Sequence, residues 1–113
     1  MVNVTSGTKP VRYGFLLLPN ASMADFAIAT EVLTRANQLA EKKCYEFLPL
    51  SLDGLPVTLS NGLRLAVDLP LAHAPKLDVL VVLADEVGID VSADELAKAI
   101  GGQLTEHMLL AGV

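Results

Sequence analysis

The side chains with reactive or ligand-holding chemistry are few and scattered: Asp25, Glu31, Cys44, Asn61, His73 and His107. Asp25 follows Ser22 by three residues, so the Ser22 hydroxyl can accept from the Asp25 backbone N–H while the carboxylate reaches back to the Ser22 N–H, which is a capping box. On the helix that this box opens, Asp25 falls on the side of Ala29, Val32 and Ala36, and a carboxylate among apolar neighbours is a candidate ligand group. Capping and the helix dipole account for it without any further role. Glu31 stands four residues before Arg35, where an exposed ion pair worth a few tenths of a kcal/mol explains it; a dimer contact or ligand site is the sharper reading. Cys44 follows Lys42 and Lys43, but a nucleophile needs a lowered pKa from a helix N-terminus or a held base, and no elbow sequence surrounds it. An unreactive thiol is expected. His73 and His107 are far apart and have no metal-ligand spacing around them, so no metal site is expected. Asn61-Gly62 is a turn first and a ligand-facing loop second. Gly101-Gly102 lacks the lysine and the serine or threonine of a phosphate cradle, and nothing in the chain calls for a cofactor.

The elements that must position these residues are legible from periodicity. Val11 to Leu18 is a near-continuous apolar run, the pattern of a strand buried on both faces, and Pro19-Asn20 stops it. A helix from Met23 to about Ala40 follows. At about 100° per residue it gathers Gln38, Glu31, Ala24 and Arg35 on one narrow polar arc, so a cover is expected on most of its sides: the sheet on one, another helix or a partner subunit on another. From Tyr45 to Val67 the pattern changes to short strands around Asp53-Gly54 and Asn61-Gly62, read as a small antiparallel meander on the edge of the parallel sheet. Pro70 and Pro75 mark a loop before the buried strand Leu77–Val82. Ser92 with Glu95 repeats the capping-box spacing, and Gly101-Gly102 stops that helix. Met108 to Val113 is apolar, and six such residues do not separate strand from helix.

Composition bounds the function classes. With 113 residues there is room for one domain and one core. Apolar residues make up 52% of the chain, yet no run reaches the roughly 18 residues that span a bilayer, and the short run that Pro19 ends is a poor secretory signal. The default expectation is a cytoplasmic protein without a membrane partner. Cys44 is the only cysteine, which excludes an internal disulfide. Eight basic against thirteen acidic side chains, with no basic run, leave no footprint for a phosphate backbone; this segment is not expected to bind nucleic acid.

With strand, turn and helix in place, the residues Leu18-Pro19, Ser22-Met23 and Glu31-Val32-Leu33-Thr34-Arg35-Ala36-Asn37 resemble the opening of the ThiJ/PfpI-like domain at the N-terminus of AraC/XylS-type transcriptional regulators. Tyr45, Leu50-Ser51-Leu52-Asp53-Gly54, Val57, Ser60-Asn61-Gly62-Leu63, Asp68 and Asp78 continue the similarity over roughly residues 12 to 83. The resemblance implies an α/β fold: a partial flavodoxin-like or Rossmann-like parallel sheet flanked by helices, with a small antiparallel hairpin segment at about 45–67. Residues 1–9 are then a flexible lead-in, and 10–113 an incomplete ThiJ/PfpI-like domain of the class I glutamine-amidotransferase-like kind. The family usually turns on a glycine pair after the Asp78 strand, whereas this chain has Leu83-Ala84-Asp85-Glu86. In the wider superfamily a strand resembling MLLAGV leads into the turn that carries a cysteine nucleophile in the enzymes, and here the residues stop at Gly112-Val113, before that turn and before any helix-turn-helix. By position Asp25 resembles the acid that pairs with that cysteine. The implied function is the N-terminal part of a sensor and dimerisation domain that binds a small-molecule effector without turnover; related regulators often respond to amines. Asp25, Glu31 and Asn61 are its ligand or interface candidates. The alternatives are a fragment of a ThiJ/PfpI-type hydrolase or amidase, and a truncated module that acts only through self-association, since an incomplete parallel sheet leaves apolar edges open.

Overall fold

The structure, a computed structural model, describes residues 9–84 in full and 108–112 as backbone. The lead-in before Lys9, the helix opened by Ser92 and Glu95, the Gly101-Gly102 stop and His107 lie outside the described residues. The elements among the described residues are β1 (Val11–Leu17), α1 (Met23–Ala40), β2 (Tyr45–Ser51), β3 (Val57–Thr58), β4 (Arg64–Leu65), β5 (Leu69–Pro70), β6 (Val79–Ala84) and β7 (Met108–Gly112), with a 3-10 turn at Leu71–His73. The main sheet has the order β5-β2-β1-β6-β7, and every pairing in it is parallel. The tail from Met108 is thus a strand.

The apolar run of β1 serves two cores because successive side chains leave opposite faces of a strand. Phe15 and Leu17 join Val81, Leu83 and Leu33 of α1 on one face. Leu16 and Leu18 join Leu50, Leu80, Val82, Leu71 and Leu77 on the other. Phe15 meets Phe26 and Phe47 edge-on, with centroids 5.8 and 6.1 Å apart. Gly14 is small because a Cβ there would lie 2.5 Å from Leu77 Cδ1 and 3.1 Å from Leu50 Cδ1.

β2 differs from expectation. Tyr45–Ser51 pairs in parallel with β1 over six residues instead of opening an antiparallel meander. Proline is tolerated at Pro49 because its carbonyl accepts from Asp68 N–H at 2.9 Å on the side away from β1, and the missing N–H points to that same side, where β5 pairs only Leu50 and Ser51. The antiparallel element is confined to β3 and β4, a separate two-stranded ribbon that pairs Val57 with Leu65 and Thr58 with Arg64. Val57 and Leu59 pin it to the α1-side core. Asp53-Gly54 makes no hairpin; Asp53 Oδ1 accepts from Leu55 N–H at 3.0 Å in an Asx turn between β2 and β3.

α1 is clamped at both ends. Asp25 N–H donates to Ser22 Oγ at 3.3 Å. At the other end Glu41 takes a left-handed φ of 56°, its N–H donates to Gln38 O, and Lys42 N–H donates to Asn37 O, a Schellman arrangement with glutamate where glycine is usual. The Asn37 side chain then fastens α1 to the next strand: Oδ1 accepts from Cys44 N–H at 2.8 Å and Tyr45 N–H at 2.9 Å, and Nδ2 donates to Tyr45 O at 2.8 Å. Asn37→Ala leaves two N–H donors and a carbonyl without these partners, and is expected to cost about 2 to 4 kcal/mol, a fall of about 10 °C or more in Tm by thermal unfolding; an unchanged melt contradicts the clamp.

Candidate functional site

From β1 the chain crosses through α1 to β2 on one side of β1, while β6 pairs on its other side. The strand order therefore reverses between β1 and β6, and open α/β sheets hold ligands at the carboxyl ends of strands where this happens. At that end Leu18 N–H donates to Leu83 O at 3.0 Å, Pro19 ends the strand, and Asn20 adopts a left-handed φ of 69°. The β3–β4 ribbon is laced onto this turn by two backbone bonds, Asn20 N–H to Thr58 O at 2.9 Å and Ser60 N–H to Ala21 O at 3.0 Å.

The lacing decides which candidates meet. Asn61 sits in the turn of the ribbon, where Gly62 N–H donates to Leu59 O at 2.9 Å, and only Gly62 of the pair has positive φ, at 86°. Asn61 Oδ1 accepts from Leu63 N–H, and Nδ2 faces Met23 Sδ at 3.6 Å, two residues from Asp25. Asp25 and Asn61 thus stand on one rim, at the start of α1. The capping box is half made: among the described residues Ser22 Oγ receives its bond, while no hydrogen bond or ion pair reaches the half-buried Asp25 carboxylate. The rim offers an acceptor carboxylate, the Asn61 amide and the polar turn residue Asn20, a set suited to holding a small polar molecule. Sequence reasoning missed Asn20; the readable signal was an asparagine directly after the strand-ending proline, since asparagine tolerates the left-handed region.

Glu31 is not part of this rim. It lies two turns along α1, exposed, with Oε1 3.8 Å from Arg35 Nε. Cys44 is buried just before β2, at the amino end of the sheet and one seven-residue strand away from the rim, roughly 20 Å. His73 is exposed at the end of the 3-10 turn. Among the described residues no group of three His, Cys, Asp or Glu side chains is placed to hold a metal ion, and no helix is long and apolar enough to cross a membrane.

An open cleft of about 630 Å³ lies at the amino end between Lys9, Arg12, Glu46, Lys76 and Asp78. Its charges tie strands together. Arg12 Nε donates to Glu46 Oε1 at 2.6 Å, Arg12 Nη1 to Lys76 O at 3.2 Å, and Arg12 N–H to Asp78 Oδ2 at 2.8 Å. These bonds join β1 to β2 and to the approach of β6, so these charged groups of the cleft are engaged in holding the sheet together.

No protein-family model matches the chain. The HTH-type transcriptional regulator GbdR of Pseudomonas aeruginosa is 41% identical over 83 residues, which are 74% of this chain and 22% of that protein. GlxA of Rhizobium meliloti, another HTH-type transcriptional regulator, is 44% identical over 52 residues, 46% of this chain and 16% of its own length. The crystal structure of an AraC family transcriptional regulator from Pseudomonas putida superposes with a TM-score of 0.73 at 36% identity, covering 91% of this chain and 55% of that one. The homologues of this chain are AraC-family regulators, matched over their N-terminal part. The chain spans about a fifth of the length of the curated relatives. A DJ-1 superfamily protein from Agrobacterium tumefaciens shares the fold, with a TM-score of 0.62 at 23% identity over 90% of this chain and 52% of that one. The flavodoxin-like architecture expected from the AraC-type resemblance is the one observed.

The two ends of the sheet give separate tests. Ser22→Ala removes the cap acceptor and is expected to lower stability by about 1 kcal/mol in urea unfolding, whereas Asp25→Ala keeps the backbone bond to Ser22 and costs less; the reverse order would mean that the carboxylate, not the hydroxyl, holds the helix start. At the amino end, the hydrogen bond from Arg12, helped by the charges of Arg12 and Lys43, holds the Glu46 carboxyl below its ordinary value against the opposing effect of burial. A depressed carboxylate contributes stability above its unfolded-state value, near pH 4.3, and loses it as pH falls through the lower folded value. Glu46→Gln should therefore flatten the acid limb of the stability profile below about pH 4.3, and an identical acid limb in both proteins would show that the pair contributes nothing.

Proposed function

We propose that this chain is the N-terminal sensing and dimerisation part of an AraC-type transcriptional regulator, and that it binds a small metabolite at the rim formed by Asp25, Asn61 and Asn20 without chemically altering it. The carrying observation is the alignment with GbdR over 83 residues, in a fold whose switch point holds polar groups. The homologues are regulators, and the enzyme-rich DJ-1 superfamily is a neighbour in fold, which does not carry chemistry. DNA reading would fall to a separate region of the parent protein, in the cytoplasm.

A panel of small polar metabolites screened by thermal shift and calorimetry tests this. A true effector at a hundred times its Kd is expected to stabilise the chain by about 2.7 kcal/mol, with Asp25→Ala and Asn61→Ala each weakening binding about tenfold and the ligand recovered unchanged by mass spectrometry. Turnover of the ligand, or binding indifferent to both substitutions, overturns the reading.

A further inference from the structure

The cleft at the amino end of the sheet carries more cationic donors than the sheet consumes. Arg12 spends its Nε–H on Glu46 and one Nη1–H on Lys76 O, two of the five N–H donors of a guanidinium. The remaining donors have no partner among the described residues, and 37% of the side chain stays open to the cleft and solvent. Two bonds therefore hold the planar fork in place while part of it faces outward. Lys9, just before β1, and Lys76, just before β6, line the same cleft. Both are exposed, and among the described residues neither ammonium group has a hydrogen bond or an ion pair.

The acids that share the cleft are already matched. Glu46 Oε1 takes the Arg12 bond and Oε2 lies 3.6 Å from Lys43 Nζ; Asp78 Oδ2 accepts from the Arg12 backbone N–H. In a chain of net charge -5, this lining is net positive, with Lys9, Arg12 and Lys76 against Glu46 and Asp78. Its volume, about 630 Å³, lies within the range of small-molecule sites. We propose that this cleft binds a phosphoryl dianion, free phosphate or a phosphate monoester, with the Arg12 fork on two oxygens and Lys9 and Lys76 neutralising the rest of the charge. A fixed guanidinium fork suits a phosphoryl group, which offers three acceptor oxygens and close to two charges at neutral pH. Because the groups come from the approach to β1, from β1 itself and from the approach to β6, the anion would brace the strands on which the sheet is built. This site lies at the other end of the sheet from the Asp25 rim, so neither reading depends on the other.

Calorimetry on the full chain, with ionic strength held constant by chloride, is the test. Inorganic phosphate and glycerol phosphate are expected to bind saturably, one per chain, and about tenfold tighter than the singly charged diester dimethyl phosphate. Lys9→Gln and Lys76→Gln should each weaken phosphate binding about fivefold, a charge-assisted bond discounted for exposure. Neither substitution should change Tm without phosphate, since neither ammonium group ties the fold together. Absence of saturable phosphate binding overturns the site, as does binding indifferent to both lysine substitutions. Dimethyl phosphate or duplex DNA that binds as tightly as phosphate, counted per phosphate group, overturns the dianion assignment and points to a diester backbone instead.

Discussion

Everything else in this fold depends on a strand that is apolar in both phases. In β1, Phe15 and Leu17 feed one core, and Leu16, with Leu18 directly after the strand, feeds the other, so neither face can be left to water. Burying Leu16, Leu17 and Leu18 alone removes surface worth roughly 1.5 to 3 kcal/mol for each side chain. A strand with that requirement must be central and covered on both faces, which is the environment of a parallel sheet. Parallel neighbours in turn need crossover connections, and α1 is the crossover that returns the chain to β2.

The place where β1 must stop then sets the rim. Pro19 cannot extend the ladder, and the chain has to reverse into α1 within a few residues, which puts Asn20 in the left-handed region. A non-glycine residue held there costs on the order of 1 kcal/mol and persists where the surroundings over-determine it. Here the surroundings are the β3–β4 ribbon, bonded to the backbone on both sides of Asn20's turn. The ribbon thereby has two functions: Val57 and Leu59 fill the core, and its turn delivers Asn61 to the start of α1.

Local pattern sufficed where the physics is local. The helix from Met23 to Ala40, its serine cap, the strand ended by Pro19 and the core strand after Asp78 could all be read from spacing and punctuation. β2 was read into the antiparallel segment because the turn dipeptides Asp53-Gly54 and Asn61-Gly62 govern the pattern from Tyr45 to Val67, and its parallel pairing with β1 is visible only once β1 and β5 are in position. The Asp53-Gly54 hairpin failed for a related reason: an Asx turn and a hairpin turn use the same dipeptide. The site was half legible. Asp25 and Asn61 could be picked out by type, but what joins them is a contact across 38 residues between Asn61 and Met23, and no local rule contains it. The capping box was realised in its serine half, Asp25 N–H to Ser22 Oγ.

The exposed stripe on α1, Ile28, Val32 and Leu39, follows from how firmly the helix is held. An isolated amphipathic helix resting on a sheet can roll about its axis to hide its largest apolar side chains. α1 cannot, because its first turn is capped by Ser22 and laced beside the ribbon, and its last turn is fixed by the Schellman bonds and by the three hydrogen bonds of Asn37. With both ends clamped, the rotation that sends Leu33 and Phe26 into the core also sends Ile28, Val32 and Leu39 outward. Rolling by the roughly 100° needed to bury Val32 would withdraw Leu33 and break Asn37 from β2, a loss larger than the gain from hiding one valine. The apolar outer face is therefore a fixed feature of the folded chain.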